Sequence, residues 1–220
     1  MDELEQKLYK VRFDNDERKK KENLWEILVK TFLQKYVNAE EDVLDVGGGY
    51  CEFINAIQCH NKYVVDINPE VRNYANKNVT VLLCPAHDIK ELPDRNIDVA
   101  FASNFFEHIN SKKEVLNVIQ EINRVLKPGG KFLIIQPNIK YAYKEYWDFF
   151  DHHIPFTEKS FSEALRLNKF EIIDSYPRFL PYTTKTRLSR FALLLKIYLA
   201  IPVLWRIFGK QFFIVAKKTA

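Results

Sequence analysis

The chain has 220 residues, 47% hydrophobic and 14% aromatic, which favours one domain with additions and argues against two equal domains. Its three cysteines, Cys51, Cys59 and Cys84, are too few and too unevenly spaced for a disulfide framework or a C-x-x-C zinc site. The N-terminal segment is highly charged and lacks the apolar stretch of a secretory signal, so we expect a cytoplasmic protein.

The formal charge of +4 is unevenly distributed along the chain. Residues 176–220 contain nine Lys or Arg and no Asp or Glu, so the preceding residues carry a net charge of −5. An acidic body with a basic tail predicts an anionic partner: a membrane surface, a phosphorylated substrate or nucleic acid. A solvated basic face is the alternative.

The first 40 residues predict an N-terminal helical extension to a main domain at 41–220. Residues 1–22 are dominated by charge and make a poor core. Apolar residues at helical spacing then predict a docked helix from about Asn23 to Val37, with Asn23 as its N-cap.

After this helix, short apolar runs alternate with longer amphipathic segments. We predict seven strands, at Asp42–Val46, Tyr63–Asp66, Val79–Cys84, Val99–Ala102, Lys131–Gln136, Phe170–Tyr176 and Gln211–Lys217. Helices are predicted at Glu52–Cys59, Glu70–Asn76, Ser111–Leu126 and Glu158–Leu167. Thr157 is the expected cap of the last helix, and the turn Pro128-Gly129-Gly130 precedes the fifth strand. The fold class is therefore α/β: a doubly wound, Rossmann-like, seven-stranded and mostly parallel sheet with helices on both faces.

A glycine turn at Gly47, Gly48 and Gly49 follows the first predicted strand and its carboxylate, Asp45. Glycines suit a turn with unusual backbone angles that a ligand must approach closely, although a purely structural turn is the alternative. A dinucleotide fingerprint fails, because Glu52 stands where its third glycine is required. Carboxylates here favour a ligand bearing an ammonium and a sulfonium group over a pyrophosphate.

Two further aspartates follow the second and third predicted strands. Asp66 lies 21 residues after Asp45, where doubly wound folds place a carboxylate that binds both ribose hydroxyls. Asp88 is placed to accept a hydrogen bond from an adenine amine, and Ile67 and Ile89 are placed to enclose the ring. Either aspartate could instead cap a turn.

Five segments, in this order, resemble the class I S-adenosylmethionine-dependent methyltransferases: VLDVGGGY, YVVDINP, HDIKELP, DVAFASNFFEHI and RVLKPGGKFLIIQPN. The resemblance covers most of the chain and points to the methyltransferase-domain type with an E-H pair after the fourth strand and an LKPGG turn. It implies S-adenosylmethionine as the cofactor and S-adenosylhomocysteine as its product. The common pattern has a further glycine where Cys51 stands.

The same resemblance implies roles for the donor-site residues. Asp45 and the three glycines would hold the methionine part, Asp66 the ribose, and Asp88 with Ile89 the adenine. Ser103 and Asn104 would line the floor of the pocket.

Glu107 and His108, after the fourth strand, form the first candidate cluster for the methyl acceptor. They could orient the acceptor, act as a base or ligate a metal with Asn104, and a helix-start carboxylate beside a packed histidine is the alternative. Some small-molecule O-methyltransferases with a similar E-x-x-E-H arrangement use a divalent ion. Since Asn104 replaces the first acidic residue of that arrangement, we expect no metal.

Asp151, His152 and His153 form the second cluster, after a run of aromatic residues. A histidine oriented by a carboxylate is an effective general base near neutral pH, so His152 or His153 is the expected base. Packing between the fifth strand and the next helix is the alternative. The aromatic residues could form an apolar or sugar-stacking wall, or belong to the core.

Residues 177–210 form a long apolar connection that carries only positive charge. One helical stripe contains Leu188, Phe191, Leu194, Leu195, Tyr198 and Leu199, with Arg187, Arg190 and Lys196 off its centre. We favour core packing combined with a lid over the acceptor pocket; pairing of two subunits, or contact with an anionic inner membrane surface, are the alternatives. The stretch is too interrupted to span a bilayer.

The FDHH and FLPYT segments resemble methyltransferases of surface-glycan and lipid-linked biosynthesis. The expected function is therefore O-methylation of a sugar, glycan or lipid-linked small-molecule acceptor. An RNA methyltransferase is one alternative, but the tail is apolar for a nucleic-acid face, and we expect no nucleic-acid partner. A catalytically silent, cofactor-binding partner subunit is the other.

Overall fold

A computed structural model describes residues 15–182 and 192–219. Its α-helices are α1 (Asn15–Thr31), α2 (Glu52–Ala56), α3 (Lys112–Val125), α4 (Ile139–Ala142), α5 (Glu158–Leu167), α6 (Ala192–Ala200) and α7 (Pro202–Phe208). Its strands are β1 (Val43–Val46), β2 (Lys62–Asp66), β3 (Val79–Leu83), β4 (Ile97–Ser103), β5 (Leu126–Pro137), β6 (Phe170–Tyr176) and β7 (Gln211–Lys218). Short 3-10 helices cover Leu33–Tyr36, Pro69–Asn73, Phe106–His108 and Tyr146–Asp148.

All seven strands form one sheet in the order β3-β2-β1-β4-β5-β7-β6. The first five strands pair in parallel, whereas β7 lies antiparallel between β5 and β6. The order reverses at β1, so a crevice is expected between the carboxyl ends of β1 and β4, where ligands bind in doubly wound sheets. The predicted fold class is confirmed.

The sheet separates two hydrophobic cores. Leu44 and Val46 of β1 belong to one core and Val43 to the other, because successive side chains of a strand point to opposite faces. All four residues of β1 are buried. A strand covered on both faces is the ordinary situation for a parallel sheet with helices on each side.

The N-terminal helix differs from the prediction. Because α1 begins at Asn15, the predicted cap Asn23 lies inside the helix, and that prediction is wrong. The charged residues before Asn23 continue the helix, since Lys and Glu are good helix formers even without an apolar stripe. The helix ends at Thr31, and a 3-10 turn continues to Tyr36.

Two predicted helices are shorter in the structure, and one predicted turn lies inside a strand. The helix after the glycine turn stops at Ala56, and Pro69–Asn73 is a 3-10 turn that the Asn68 side chain caps. β5 begins at Leu126, so Pro128-Gly129-Gly130 falls within it as an irregularity in the pairing with β4. The segments Glu158–Leu167, with Thr157 as its cap, and Phe170–Tyr176 have their predicted bounds.

The helices α6 and α7 pack one side onto the core that includes α1. Leu195, Tyr198, Leu199 and Trp205 are buried there, and the Tyr198 hydroxyl donates a hydrogen bond to the Phe179 carbonyl. Core packing of the predicted stripe is thus observed for its members at 195, 198 and 199, whereas its member Leu194 is 41% exposed. Its members at 188 and 191, and the flanking arginines at 187 and 190, lie outside the described residues.

None of the helices within residues 15–182 and 192–219 is long and apolar enough to cross a bilayer.

Phe32 joins α1 to the strands and to α7, and its replacement tests this connection. Its ring lies 4.5 Å from that of Phe179, 5.4 Å from Phe213 and 5.5 Å from Trp205, measured between centroids. Phe32→Ala should lower the free energy of unfolding by about 3–5 kcal/mol, measured by urea denaturation. The exposed control Leu167→Ala should change it by less than about 0.5 kcal/mol, and equal effects would contradict the assignment.

Candidate functional site

The turn after β1 has no space for side chains at its first two glycines. The N–H of Gly47 donates to the Val65 carbonyl at 2.8 Å, and its φ of +68° lies in the left-handed region. A Cβ at position 47 would lie 2.3 Å from the Phe105 ring, and one at Gly48 would lie 2.2 Å from Cγ2 of Val64. Both positions therefore require glycine.

Left-handed backbone recurs at two later positions of the turn. Gly49 has φ +52° and Cys51 has φ +60°, and Cys51 is fully buried where α2 begins. A side chain costs energy in this conformation, which explains why glycine is usual at the position of Cys51 in the family that the sequence resembles.

Three carboxylates surround the turn. Asp66 accepts hydrogen bonds from the N–H of Gly49 at 3.0 Å and from the N–H of Asn68 at 2.8 Å. Burial raises the pKa of Asp45 well above its ordinary value, and the charges of Glu52 and Asp66 raise it further. Burial also raises the pKa of Asp66, although the hydrogen bonds from backbone N–H groups lower it in part. A cationic ligand would relieve this repulsion.

Asp66 also caps a turn, which was the alternative role predicted for it, because its carboxylate accepts a hydrogen bond from the N–H of Asn68, two residues further on. Each carboxylate oxygen can accept a second hydrogen bond, so this role leaves capacity for ribose hydroxyls.

Lys21 of α1 lies beside the turn. Its ammonium is 3.0 Å from Oε1 of Glu52 and 5.5 Å from the centroid of the Tyr50 ring. The N-terminal helix is thus attached to the segment that carries the glycines.

The residues predicted to hold an adenine differ in exposure. Ile67 is 49% exposed, whereas Ile89 is fully buried and its N–H donates to Oε1 of Glu121 at 2.7 Å. Of these two isoleucines, Ile67 alone offers side-chain surface to a ligand. Asp88 forms an exposed ion pair with Lys90 at 2.8 Å.

The chain leaves β4 through Ser103 and Asn104. Asn104 is exposed with φ +48°, and its amide donates to the Ser103 hydroxyl at 3.2 Å. Its N–H donates to the carbonyl of Ile135 at 3.0 Å, which fixes the exit from the strand against β5.

Glu107 is buried in the 3-10 turn that follows, and Gln136 orients it. Nε2 of Gln136 donates to Oε2 of Glu107 at 2.8 Å, while Oε1 of Gln136 accepts from the N–H of Phe105 at 3.1 Å. Burial raises the pKa of Glu107, partly offset by the neighbouring His108 and by Gln136. Gln136 was not among the predicted site residues; its signal is a polar residue directly after the apolar run at residues 132–135.

His108 is paired with Asp151. Its Nδ1 lies 3.1 Å from the carbonyl oxygen of Asp151 and 3.2 Å from Oδ2 of the same residue. Because a carbonyl only accepts, Nδ1 carries the hydrogen, and Nε2 of the neutral ring keeps a lone pair. Burial alone would lower the pKa of His108, but the hydrogen bond to Asp151 and the charges of Glu107 and Asp151 raise it overall.

His152 packs among aromatic rings, whereas His153 is exposed. The His152 ring stacks on Phe149 with centroids 5.0 Å apart and lies edge-on to His108 at 5.0 Å. His153 contributes its backbone N–H, which donates to the carbonyl of Glu107 at 2.7 Å. The structure thus brings together the side chains at 107, 108, 151 and 152 and leaves that of His153 at the surface.

Glu107, His108 and His152 also form a possible set of metal ligands. One ligand atom from each residue lies within 4.8 Å of the others. A carboxylate and two imidazoles suit a divalent transition metal such as zinc. The expectation that this chain uses no metal stays a prediction.

Comparison with protein families finds a match to part of the chain. The model of the family described as "Methyltransferase domain" matches residues 44–134, from β1 through the glycine turn to the middle of β5. No curated protein sequence gives a significant match.

Solved structures share the fold. One is a chain from the complex between the Haloferax volcanii Trm112 methyltransferase activator and a methyltransferase, with TM-score 0.69 and 16% identity over 94% of this chain and 95% of that one. A S-adenosylmethionine-dependent methyltransferase from Archaeoglobus fulgidus has TM-score 0.66 and 22% identity over 90% and 94%. A Bacillus halodurans protein described as a methyltransferase has TM-score 0.65 and 16% identity over 88% and 99%. The predicted resemblance to methyltransferases is confirmed over residues 44–134, and this similarity implies S-adenosylmethionine as the cofactor.

Because Gly48 packs closely against Val64, a substitution at Val64 should restore the cofactor binding that a substitution at Gly48 weakens. Gly48→Ala should weaken binding of S-adenosylhomocysteine by roughly 10-fold or more, because the added methyl group displaces the turn. The double variant Gly48→Ala/Val64→Ala should regain affinity, since the smaller residue makes room and position 48 has no positive φ. Titration calorimetry on both, with Val64→Ala alone as the control, measures the effect. Unchanged affinity in Gly48→Ala would refute the steric explanation.

Proposed function

We propose that this chain, which has a methyltransferase domain and S-adenosylmethionine as its cofactor, methylates a hydroxyl oxygen of a sugar, glycan or lipid-linked acceptor. The observation that carries the proposal is the pairing of His108 with Asp151 beside the buried Glu107. A hydroxyl is a weak nucleophile near neutral pH, so its methylation benefits from a positioned base.

In the donor half of the site, Asp45 and the glycine turn would hold the methionine part of the cofactor, and Asp66 would bind the ribose. The raised pKa values of both aspartates support this assignment, because an ammonium and a sulfonium stabilise the charged carboxylates. Ile67, which has the exposed surface, and the carboxylate of Asp88 would hold the adenine.

In the acceptor half, Nε2 of His108 would accept the proton that the acceptor hydroxyl loses on methylation. Asp151 holds the ring in the required tautomer, and Glu107 stabilises the imidazolium that forms. Transfer is an in-line displacement, so alignment of the two reactants supplies much of the remaining rate. His152, stacked on Phe149, supports the His108 ring from the side.

Exposed aromatic side chains next to this cluster support a sugar-containing acceptor. Tyr143 and Trp147 are each 59% exposed and Phe150 is 77% exposed. Exposed rings at a site rim provide apolar faces on which sugar rings stack. The buried Tyr146, by contrast, donates to the carbonyl of Ile154 at 2.6 Å and belongs to the core.

A second candidate is the methyl-transferring subunit of a two-protein enzyme. The Haloferax volcanii neighbour was solved in complex with a methyltransferase activator, and it covers nearly the whole of this chain. Under this candidate the isolated chain binds the cofactor but transfers no methyl group. Turnover by the isolated chain would exclude an obligatory activator.

The test of the first proposal is a screen of lipid-linked and nucleotide sugars with methyl-labelled donor. On an acceptor that is methylated, His108→Ala should lower kcat by about 100-fold or more and leave cofactor affinity unchanged. His153→Ala, with its exposed side chain, is the control and should keep nearly full turnover. Loss of turnover in His152→Ala or His153→Ala, with His108→Ala fully active, would place the base elsewhere.

The raised pKa of Asp45 predicts how donor binding depends on pH. Below that pKa the free carboxyl is protonated and neutral, so affinity for the cationic donor should fall as the pH falls, beginning well above the ordinary aspartate pKa of about 3.9. Binding should also release protons, which calorimetry in buffers of different ionisation enthalpy detects. Asp45→Asn should flatten the dependence; a flat profile in the unmodified protein would contradict the assignment.

A further inference from the structure

The helices α6 and α7 expose an apolar surface opposite their packed side. The outer face, as we call it, consists of the exposed residues Leu193, Leu194, Ile197, Ile201, Val203, Ile207 and Phe208. A helix that is apolar all round is normally covered all round, and here only the side with Leu195, Tyr198 and Trp205 is covered by described residues. Seven large apolar side chains within sixteen residues exceed the scattered exposure of ordinary surfaces and are typical of a binding surface.

The charge around the outer face selects the kind of partner. Lys196 and Arg206 are exposed on the same two helices, and neither makes an ion pair within residues 15–182 and 192–219. No acidic residue occurs anywhere in residues 176–220, which contain nine basic ones. A second copy of this chain would bring basic residues against basic residues, whereas an anionic surface would be attracted.

We propose that the outer face docks on an anionic lipid surface. The apolar side chains enter the boundary between headgroups and acyl chains, while Lys196 and Arg206 contact lipid phosphates. With nine and seven residues, α6 and α7 lie on the bilayer and do not cross it.

The outer face is linked to the segment that carries the exposed aromatic rings. Arg178 donates to the carbonyls of Ile207 and Gly209 at 2.6 and 2.8 Å, and its guanidinium lies 4.6 Å from the Tyr141 ring. Lys210, directly after α7, pairs with Glu145. Docking would therefore hold the aromatic segment at residues 141–150 near the bilayer, which, if the proposed function holds, suits an acceptor anchored in lipid.

The experiment is vesicle flotation of the full chain without donor or acceptor, so its outcome does not depend on methyl transfer. The protein should float with phosphatidylglycerol vesicles, far less with phosphatidylcholine vesicles, and less as the salt concentration rises. Failure to float with phosphatidylglycerol vesicles, or equal binding to both lipids, would overturn the proposal.

Two variants separate the apolar and the electrostatic contributions. Ile197→Glu/Phe208→Glu should abolish flotation, whereas Leu167→Glu, an exposed leucine on α5, should float like the unmodified chain. Lys196→Gln/Arg206→Gln leaves the apolar residues in place and should weaken vesicle binding by roughly 30-fold. Thermal unfolding checks that each variant is folded, and the Gln variant remains informative if the Glu variant is not.

Light scattering after size-exclusion chromatography tests the alternative that a second copy of this chain covers the outer face. If the outer face pairs two copies, the chain will be a dimer that Ile197→Glu/Phe208→Glu dissociates, and it will not float; that result would overturn the lipid proposal. A monomer that floats only with anionic vesicles would support it.

Discussion

Close packing around the turn after β1 determines the arrangement of both halves of the site. Val64 on one neighbouring strand and Phe105 beyond the other leave space only for hydrogen atoms at Gly48 and Gly47. Phe105 stands two residues before Glu107, so the side chain that closes on the glycine turn also fixes where the segment with Glu107 and His108 begins. This depends on the strand order, because β1 lies between β2 and β4 and is buried on both faces. The backbone there cannot move without disturbing two cores.

Polar groups buried at the carboxyl edge of the sheet reduce the stability of the fold. Asp45 and Glu107 are both almost fully buried, and burial raises the pKa of each. A buried carboxyl costs free energy unless hydrogen bonds or opposite charges compensate. Gln136 compensates in part at Glu107, and the backbone N–H of Ile54 does so at Asp45, which also faces two other carboxylates. Carboxyls left in this condition are expected where a cationic ligand completes the set.

The sequence predicts the strands well because each is a short apolar run beside a turn. Predicted and observed bounds agree for β6 and α5, where Thr157 supplies a local capping signal. The predicted start of α1 was wrong because charged residues extend the helix toward the N-terminus, and no apolar pattern marks that part of the helix. The link between His108 and Asp151 could not be predicted, since 43 positions separate them and only the packing of the 3-10 turn against the segment after β5 joins them. The burial of Ile89 could not be predicted either, because it depends on contact with α3, which lies more than thirty residues later in the sequence.

The position of β7 has a consequence for how the protein is made. This strand is the last of the seven to leave the ribosome, yet it lies between β5 and β6 with its first six residues buried. Until Phe212, Phe213 and Ile214 emerge, β5 has an open apolar edge, and β6 has no partner in the sheet. Such edges are templates for association between chains, so a nascent chain of this design depends on fast completion of synthesis or on chaperones.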